Sequence, residues 1–425
     1  MKKVAIHTLG CKLNFSESSD IVRRFVERGF QVVDFKEFAD VYIINTCTVT
    51  ALAEKKCRNA IRQAISLNPD AIVAAVGCFA QVNPQDIAKI EGVDFILGNA
   101  DKYKLADYII SGNYDRKQAK TVLPMGESDE FVATYSTGDR TRTFFKVQDG
   151  CDYFCTYCEI PFARGRNRSQ SIADTIAKAR EIAGTGAKEV VLTGINTGEF
   201  GKQHGENFFQ LIRELDKVEG ILRYRISSIE PNLITNEMID FIATSRAFLP
   251  HFHIPLQAGS NTVLQMMRRR YTTEFYAGRL KKIKSVMPDA CIAADVIVGF
   301  NGETDDEFQH VCDFIRSIPI SYLHIFTYSE RPGTRALSLP CKVPVDTRRE
   351  RSRILHRISE EKKLRFYEEN FGKTHKVLWE SDLHDGYMFG FTENYIRVKT
   401  PFDEGKINTI EEITVNTDNV IFEQS

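Results

Sequence analysis

At 425 residues, with 43% hydrophobic and 27% charged residues and a net charge of -1, the chain has the composition of a globular protein with two or three cores. No run of 18 apolar residues occurs, and Met1 to Gly10 shows neither a long apolar stretch nor a small-residue cleavage site; a membrane-spanning chain is excluded and a cytoplasmic location is expected. Ten cysteines in a reducing compartment read as metal ligands and free thiols rather than disulfides. The balanced charge conceals basic clusters at Arg164 to Arg168, Arg268 to Arg270, Lys281 to Lys284 and Arg348 to Arg357, which suit a polyanion.

The chain opens with short β-branched segments, Lys3 to Leu9, Val41 to Thr46 and Ala71 to Gly77, separated by helical patterns at Ser16 to Arg28 and Ala51 to Leu67. That alternation predicts a parallel sheet covered by helices. A strand at Val93 to Leu97 and a helix near Lys102 to Ile110 complete a unit expected over residues 1–112. Each of the first three strands runs into a cysteine: Cys11, Cys47 and Cys78. Ligand sites in open α/β sheets gather beyond the carboxyl ends of strands, which puts these thiols in one crevice; the plainer alternative is three small hydrophobes in a core. Cys57, in mid-helix without a partner at ligand spacing, reads as structural. Residues 113–141, polar and containing Pro124, Gly126 and Gly138, read as a linker.

Residues 142–344 contain six strand-like segments with helical stretches between them: Phe144 to Val147, Glu189 to Gly194, Tyr224 to Ser228, Phe252 to Leu256, Ile292 to Val298 and Tyr322 to Tyr328. Six βα units predict a parallel partial barrel, whose chemistry belongs at the C-terminal strand ends. The first such end carries Cys151, Cys155 and Cys158 within eight residues. Three soft thiolates hold three corners of an iron–sulfur cubane and leave one iron open to a chelating ligand. Zinc sites usually pair cysteines as C-x2-C twice, and no second pair is present. The C-x3-C-x2-C spacing, with Tyr157 before the last cysteine, resembles the signature of the radical S-adenosylmethionine superfamily.

Later strand ends offer Gly194 and Asn196, Ser228 and Glu230, and Gln257. The fifth places Ile297 and Gly299 where a flat adenine would meet backbone, and Glu303 where it would open the next helix. Gly194 and Asn196 also fit a plain strand-to-helix turn, and Glu230 a cap acid. Arg268, Arg269 and Arg270 end a helix, where they complement its dipole or grip an adenosylmethionine carboxylate or an RNA phosphate; Arg268 is the candidate cofactor contact. Cys291, Cys312 and Cys341 are far apart and read as non-ligands.

Residues 345–371 form a charged run read as a solvated linker helix. Residues 372–425 then alternate as five short strands, Lys376 to Glu380, Gly386 to Phe391, Tyr395 to Lys399, Ile413 to Val415 and Val420 to Phe422, which predicts a small antiparallel barrel. Arg397 and Lys399, among Tyr387, Tyr395 and Phe402, suit single-stranded bases, with Arg164 and Arg166 as further candidate RNA contacts. A purely structural barrel is the alternative.

Together the two cysteine trios, the terminal barrel and the stretches Asn45-Thr46-Cys47-Thr48-Val49, Gly77-Cys78-Phe79-Ala80-Gln81, Ile226-Ser227-Ser228-Ile229-Glu230-Pro231, His253-Ile254-Pro255-Leu256-Gln257 and Phe326 to Thr334 resemble the methylthiotransferase family of radical S-adenosylmethionine enzymes over essentially the whole chain. Lys146 to Cys151 and Ile160 to Ser169 look most like the branch acting on N6-threonylcarbamoyladenosine beside the tRNA anticodon. The isopentenyladenosine branch and the branch acting on a ribosomal-protein aspartate are the alternatives. Glu159 and Gln170 match no fixed family preference.

The resemblance implies two [4Fe–4S] clusters: an auxiliary one on Cys11, Cys47 and Cys78 that handles sulfur, and a radical one on Cys151, Cys155 and Cys158. It implies a TRAM RNA-binding module at the C-terminus. One adenosylmethionine is cleaved to the radical that takes hydrogen from carbon 2 of adenine, a C–H too weakly acidic for side-chain bases, and a second supplies the methyl. Tyr157, Ile297 and Gly299 are then expected at the cofactor's adenine, Gly194 and Asn196 at its methionine end, and Ser228 and Glu230 at its ribose. The implied partners are the tRNA anticodon stem-loop, an electron donor such as flavodoxin or ferredoxin, and a sulfur donor. A non-catalytic iron–sulfur or zinc RNA-binding protein would share the cysteines but have no use for the polar strand ends, and an electron-transfer protein would normally saturate its cluster with four ligands.

Overall fold

The computed structural model describes residues 1–112, 130–138 and 141–422. Most of the expected linker, residues 113–129 and 139–140, lies outside the described residues. The first sheet runs β2–β1–β3–β4–β5 and is all parallel, with β1 at Lys3–Thr8, β2 at Gln31–Val32, β3 at Val41–Thr46, β4 at Ile72–Gly77 and β5 at Phe95–Leu97. β3 is buried at every position because it is covered on both faces. Tyr42 and Ile44 enter one core, Val41 and Ile43 the other. β2 is a two-residue edge strand with both residues exposed, too short to leave a pattern in the sequence.

Six parallel strands build the second unit. β6 (Thr143–Lys146), β7 (Glu189–Thr193) and β8 (Arg223–Ile226) form one sheet, and β9 (His251–His253), β10 (Cys291–Val298) and β11 (Tyr322–Thr327) the other. Single parallel bridges, Tyr224 to Phe248 and Ser228 to His253, join them into one curved wall. The wall is open between β6 and β11, and the N-terminal unit covers that seam. Its helix Lys12–Val26 packs on β6, and the backbone N–H of Ala51 donates to Ser329 Oγ beyond β11 (3.3 Å). Part of the expected linker is ordered against the barrel: Tyr135 pairs antiparallel with Phe145, and the buried Thr134 hydroxyl lies 3.0 Å from that of Ser16.

The charged helix, Val345–Glu368, corrects the reading of a solvated connector. It packs on β10 and β11, burying Arg348, Arg351, Leu355, Ile358 and Phe366. Charges so dominate its average polarity that the buried stripe is hidden in the sequence. The C-terminal sheet has the order β14–β13–β12–β15 and is antiparallel, from β12 (Thr374–His384), β13 (Tyr387–Thr392), β14 (Arg397–Pro401) and β15 (Ile410–Thr414). It curls around Trp379, Val377, Met388 and Val398. The fifth expected strand is reduced to one bridge, Val420 to Val398, so the unit is a curled half-barrel. It caps the N-terminal end of the large barrel, where Arg223 donates to Lys376 O (2.6 Å) and Asn394 Nδ2 to Asp289 O (3.0 Å). Among the described residues no helix is long and apolar enough to cross a membrane.

Candidate active site

The second cysteine trio sits in a loop closed on itself. Asp149 and Arg168 exchange backbone hydrogen bonds at 3.0 and 2.9 Å, and Cys151 N donates to Gly165 O (3.2 Å). Gly150 has φ +69° at the neck of this loop, and a Cβ there would lie 1.9 Å from Arg166 O, so only glycine lets the two limbs close. Burial pushes the Cys158 thiol up to about 12 and raises Cys151 and Cys155. Thiols this reluctant to ionise become thiolates when a cationic metal centre takes the charge.

Cys155 has an unexpected neighbour. Arg269 Nη1 lies 3.1 Å from its sulfur, Nη2 pairs with Glu230, and Nε meets the Tyr271 hydroxyl at 3.2 Å. The helix Asn261–Met266 ends with Arg268 N bonded to Gln265 O and Arg269 N to Leu264 O, and with Arg268 at φ +59°. That left-handed residue turns the chain so that Arg269 points inward and Arg268 outward into solvent. Arg268, the expected cofactor contact, thus faces solvent, and Arg269 is the arginine that enters the site; three consecutive arginines gave no means of choosing among them.

Other strand ends converge on the same place. Gln148 Oε1 accepts from the backbone of Ile195 and Asn196, each at 2.9 Å, and a Cβ on Gly194 would lie 2.8 Å from that oxygen. Asn196 Oδ1 accepts from Glu230 N (3.4 Å), but its buried Nδ2 has no partner among the described residues, nor have the hydroxyls of Thr193 and Ser227. Unpaired buried polar atoms at two adjacent strand ends fit a polar cofactor such as adenosylmethionine. A cavity of about 220 Å³ is lined by Thr48 to Thr50, Tyr157 to Ile160, Gln257, Asp295, Ile297, Phe326 to Ser329 and Arg331. Ser228 is half-buried next to this group, its carbonyl accepting from the Thr197 hydroxyl (3.0 Å).

Two expectations at the fifth strand end are corrected. Gly299 does not face the cavity: its φ is +71°, and the place of its missing Cβ is filled by Arg348, 2.3 Å away. Glu303 does not cap the following helix, since Thr304 does; it is buried against Arg351 (2.6 Å) and accepts from Gly299 N (2.9 Å). Both now hold the helix Val345–Glu368 onto the barrel.

The first trio gathers at the ends of β1, β3 and β4. A Cβ on Gly10 would lie 3.0 Å from Cys47 Sγ, and Asn99 Nδ2 lies 3.6 Å from Cys78 Sγ. Burial and the nearby Cys78 and Cys11 push Cys47 up to about 12. Cys57 packs behind it, accepting from Cys47 N at 3.3 Å.

Beneath the trio lies a buried ionic cluster in which Glu17 pairs with Lys102, Lys146 and Arg164, and Asp149 with Lys146, Arg164 and Arg168. Burial opposes the charge on Glu17, but Arg164, Lys102 and Lys146 outweigh it and hold its carboxyl far below the usual range. Four cations face two carboxylates, and Cys78 and Glu17 are the first two charges felt by Arg164. Thiolates on an anionic cluster would offset that excess, so the residues fit one. Arg164 is fully engaged and 1% exposed, which removes it as an RNA contact. Arg166 is exposed, stacked on Phe154; Arg397 and Lys399 lie over Phe389 and Tyr387, each at 5.0 Å.

The same contacts dock the trios together. Asn99 also donates to Ala163 O (2.7 Å) in the cysteine loop's short helix, and Arg164 Nη2 to Asn14 Oδ1 (2.6 Å) three residues after Cys11. Glu159 and Glu54 clamp Arg331 at the cavity edge. Among the described residues, the ligand atoms that all lie within 4.8 Å of one another are those of His253, Asp295 and His324.

The sequence matches the uncharacterized protein family UPF0004 over residues 3–98 and the radical SAM superfamily over residues 145–315. It is 41% identical over 423 residues to the threonylcarbamoyladenosine tRNA methylthiotransferase MtaB of Bacillus subtilis (strain 168), covering 98% of this chain and 94% of that one. The chain belongs to the methylthiotransferase family of radical S-adenosylmethionine enzymes. The MtaB of Aquifex aeolicus (strain VF5) is also 41% identical, covering 93% and 96% of the two chains. The tRNA-2-methylthio-N(6)-dimethylallyladenosine synthase of Pelotomaculum thermopropionicum is 32% identical, covering 98% and 95%. Among solved structures, the radical S-adenosylmethionine methyltransferase TsrM from Kitasatospora setae shares the fold, with TM-score 0.58 at 15% identity over 79% of this chain and 77% of that one. An enzyme of this family uses adenosylmethionine and [4Fe–4S] clusters, which sets aside the purely RNA-binding and electron-transfer readings.

Proposed function

We propose that the chain methylthiolates carbon 2 of N6-threonylcarbamoyladenosine next to the tRNA anticodon, giving 2-methylthio-N6-threonylcarbamoyladenosine. The observation that carries the reading is a cavity walled by Cys158 of the loop trio and by Thr48, the residue directly after Cys47 of the other trio. Relatives 35–41% identical over at least 93% of the chain, all named for that nucleoside, support the substrate. Relatives named for dimethylallyladenosine are 32% identical, which makes that nucleoside the second reading.

In this proposal Cys151, Cys155 and Cys158 hold the radical cluster, and Cys11, Cys47 and Cys78 the auxiliary one. When bound, the clusters supply the electron that splits adenosylmethionine and the site at which sulfur is delivered. Arg269 fixes Cys155 and Glu230 relative to each other, and the unpaired amide of Asn196 receives a polar group of the cofactor. Tyr157, Ile297 and Phe326 give the cavity the apolar flanks that a planar base needs. Two adenosylmethionines per turnover, one cleaved and one donating methyl, call for a one-electron donor of the flavodoxin or ferredoxin class and a sulfur source. Arg166, Arg397 and Lys399 are the proposed RNA contacts, residues 372–425 the TRAM module, and the cytoplasm the place of action.

The test is mass spectrometry of tRNA nucleosides from a strain lacking the activity, with and without the chain. The methylthio mass gain is expected on threonylcarbamoyladenosine. A gain on the dimethylallyl nucleoside instead would move the chain to the other branch, and no gain on either would overturn the reading.

A further inference from the structure

At the β6 edge of the seam the two units are joined by the Glu17 cluster; at the β11 edge they are joined by Arg331, which is 4% exposed. Its Nε donates to Glu159 Oε2 (2.9 Å), one residue after Cys158, and its Nη2 to the hydroxyl of Thr48 (3.1 Å), one residue after Cys47. Nη2 also pairs with Glu54, in the first turn of the helix Ala51–Leu67. The Thr48 hydroxyl lies 2.9 Å from the Glu54 carboxylate and 3.0 Å from that of Glu159. One guanidinium and one hydroxyl thus hold together two carboxylates from different units. Thr48, Glu159 and Arg331 all line the cavity.

The arginine is mounted on the cysteine loop. Thr334 N and Oγ1 both donate to Arg331 O (3.2 and 2.7 Å), closing the turn after β11, and Ala336 N donates to Thr156 O (2.9 Å), two residues before Cys158. Arg331 therefore moves with the loop trio and reaches across to the neighbour of the other. Without its guanidinium, Glu54 would keep Arg58 at 3.9 Å and Asn83 Nδ2 at 3.4 Å, but Glu159 would keep only the Thr48 hydroxyl among the described residues. The two carboxylates, whose side chains are 12% and 7% exposed, would then repel each other across the unit boundary and part the units at the cavity edge.

Resting on the two-trio reading above, we propose that Arg331 is a positioning residue that sets the gap between the cysteine trios and so couples cleavage of adenosylmethionine to methylthiolation. It touches no reacting atom. Cleavage needs the loop trio alone, whereas methylthiolation needs both trios at one base, and a misplacement of about 1 Å costs such a step about a hundred-fold. Loss of the clamp should leave the first reaction and impair the second.

The test compares wild type with Arg331→Met, Arg331→Lys and a control, Arg23→Met, which removes a contact of the N-terminal unit with Tyr135 O (2.7 Å) that lines no part of the cavity. At equal iron content, Arg331→Met is expected to cleave adenosylmethionine without RNA as wild type does. With an anticodon stem-loop bearing N6-threonylcarbamoyladenosine, its methylthio product per 5′-deoxyadenosine should fall about ten- to a hundred-fold. Arg331→Lys, which can meet one carboxylate, should recover part of the ratio, and Arg23→Met should keep it. Two readouts do not depend on turnover: the magnetic interaction between the two reduced clusters should weaken in Arg331→Met, and hydrogen exchange over Thr48 to Ala53 should quicken in its cluster-free form. Should Arg331→Met fail to fold, Thr48→Val, which removes the shared hydroxyl, is read in the same way. An unchanged ratio overturns the proposal, as does an equal fall of cleavage and product, or a matching fall in Arg23→Met. Wild type that cleaves adenosylmethionine but forms no methylthio product on this RNA overturns the substrate reading; hydrogen exchange then decides the clamp alone, and an unchanged rate in Arg331→Met overturns it.

Discussion

Cys151, Cys155 and Cys158 lie within eight residues of one loop, whereas Cys11, Cys47 and Cys78 close three different strands spread over the first 78 residues. The first arrangement is local: a backbone bridge at Asp149 and Arg168 and a glycine at the neck set the loop's shape, and the barrel only has to carry it. The other is made by strand register, by the docking of two units, and by a buried ionic cluster that belongs to both. A loop-built site is expected to fail only when its own residues change, and a sheet-built one whenever the packing beneath it does.

The largest effect that would break this comparison is chemical. Cys151→Ala is expected to abolish 5′-deoxyadenosine formation from adenosylmethionine, while Cys11→Ala retains it and loses methylthiolation; chromatography of both products from the same reaction checks this. Retained cleavage in the first variant would remove the loop's assignment, and full activity in the second would reduce the N-terminal trio to packing.

Next comes the ionic cluster shared by the two units. Glu17→Gln leaves Lys102, Lys146 and Arg164 short of a counter-charge and is expected to cost about 3–5 kcal/mol, read as a shift of the denaturant midpoint of cluster-free protein. In that variant iron loading at the N-terminal trio should fall further than at the loop trio, as site-resolved spectroscopy would show.

The same carboxyl makes a pH prediction. Its folded-state value is depressed, so the stability it contributes is full above its unfolded value, about 4.3, and is lost as pH falls through the folded value. Cluster-free wild type should therefore hold its midpoint from pH 8 to about 5 and lose stability below about 4, more steeply than Glu17→Gln does.

Smaller effects sharpen the loop's side. Arg269→Lys loses the fork that spans Cys155 and Glu230 and is expected to weaken adenosylmethionine binding by about 1.5–3 kcal/mol, measured by equilibrium binding to the loaded enzyme. Arg268→Gly relieves a left-handed arginine and should raise stability by about 0.5–1 kcal/mol, seen as a small rise in denaturation midpoint.

Periodicity and thiol spacing by themselves determined the parallel sheet, the six-stranded barrel and all six candidate cluster cysteines, because a strand's alternation and a loop's ligand spacing are properties of neighbouring residues. The polar strand ends were legible too, since a repeated βα unit predicts where its loops collect. Tertiary structure alone decided which arginine of three enters the site, a choice made by the sign of one backbone angle at Arg268. It also turned Arg164 from a surface candidate into a buried ion-pair partner with Glu17, 147 residues away, and set Gly299 against Arg348. Charge and burial at such positions depend on what another part of the chain places opposite them, and no local pattern carries that information.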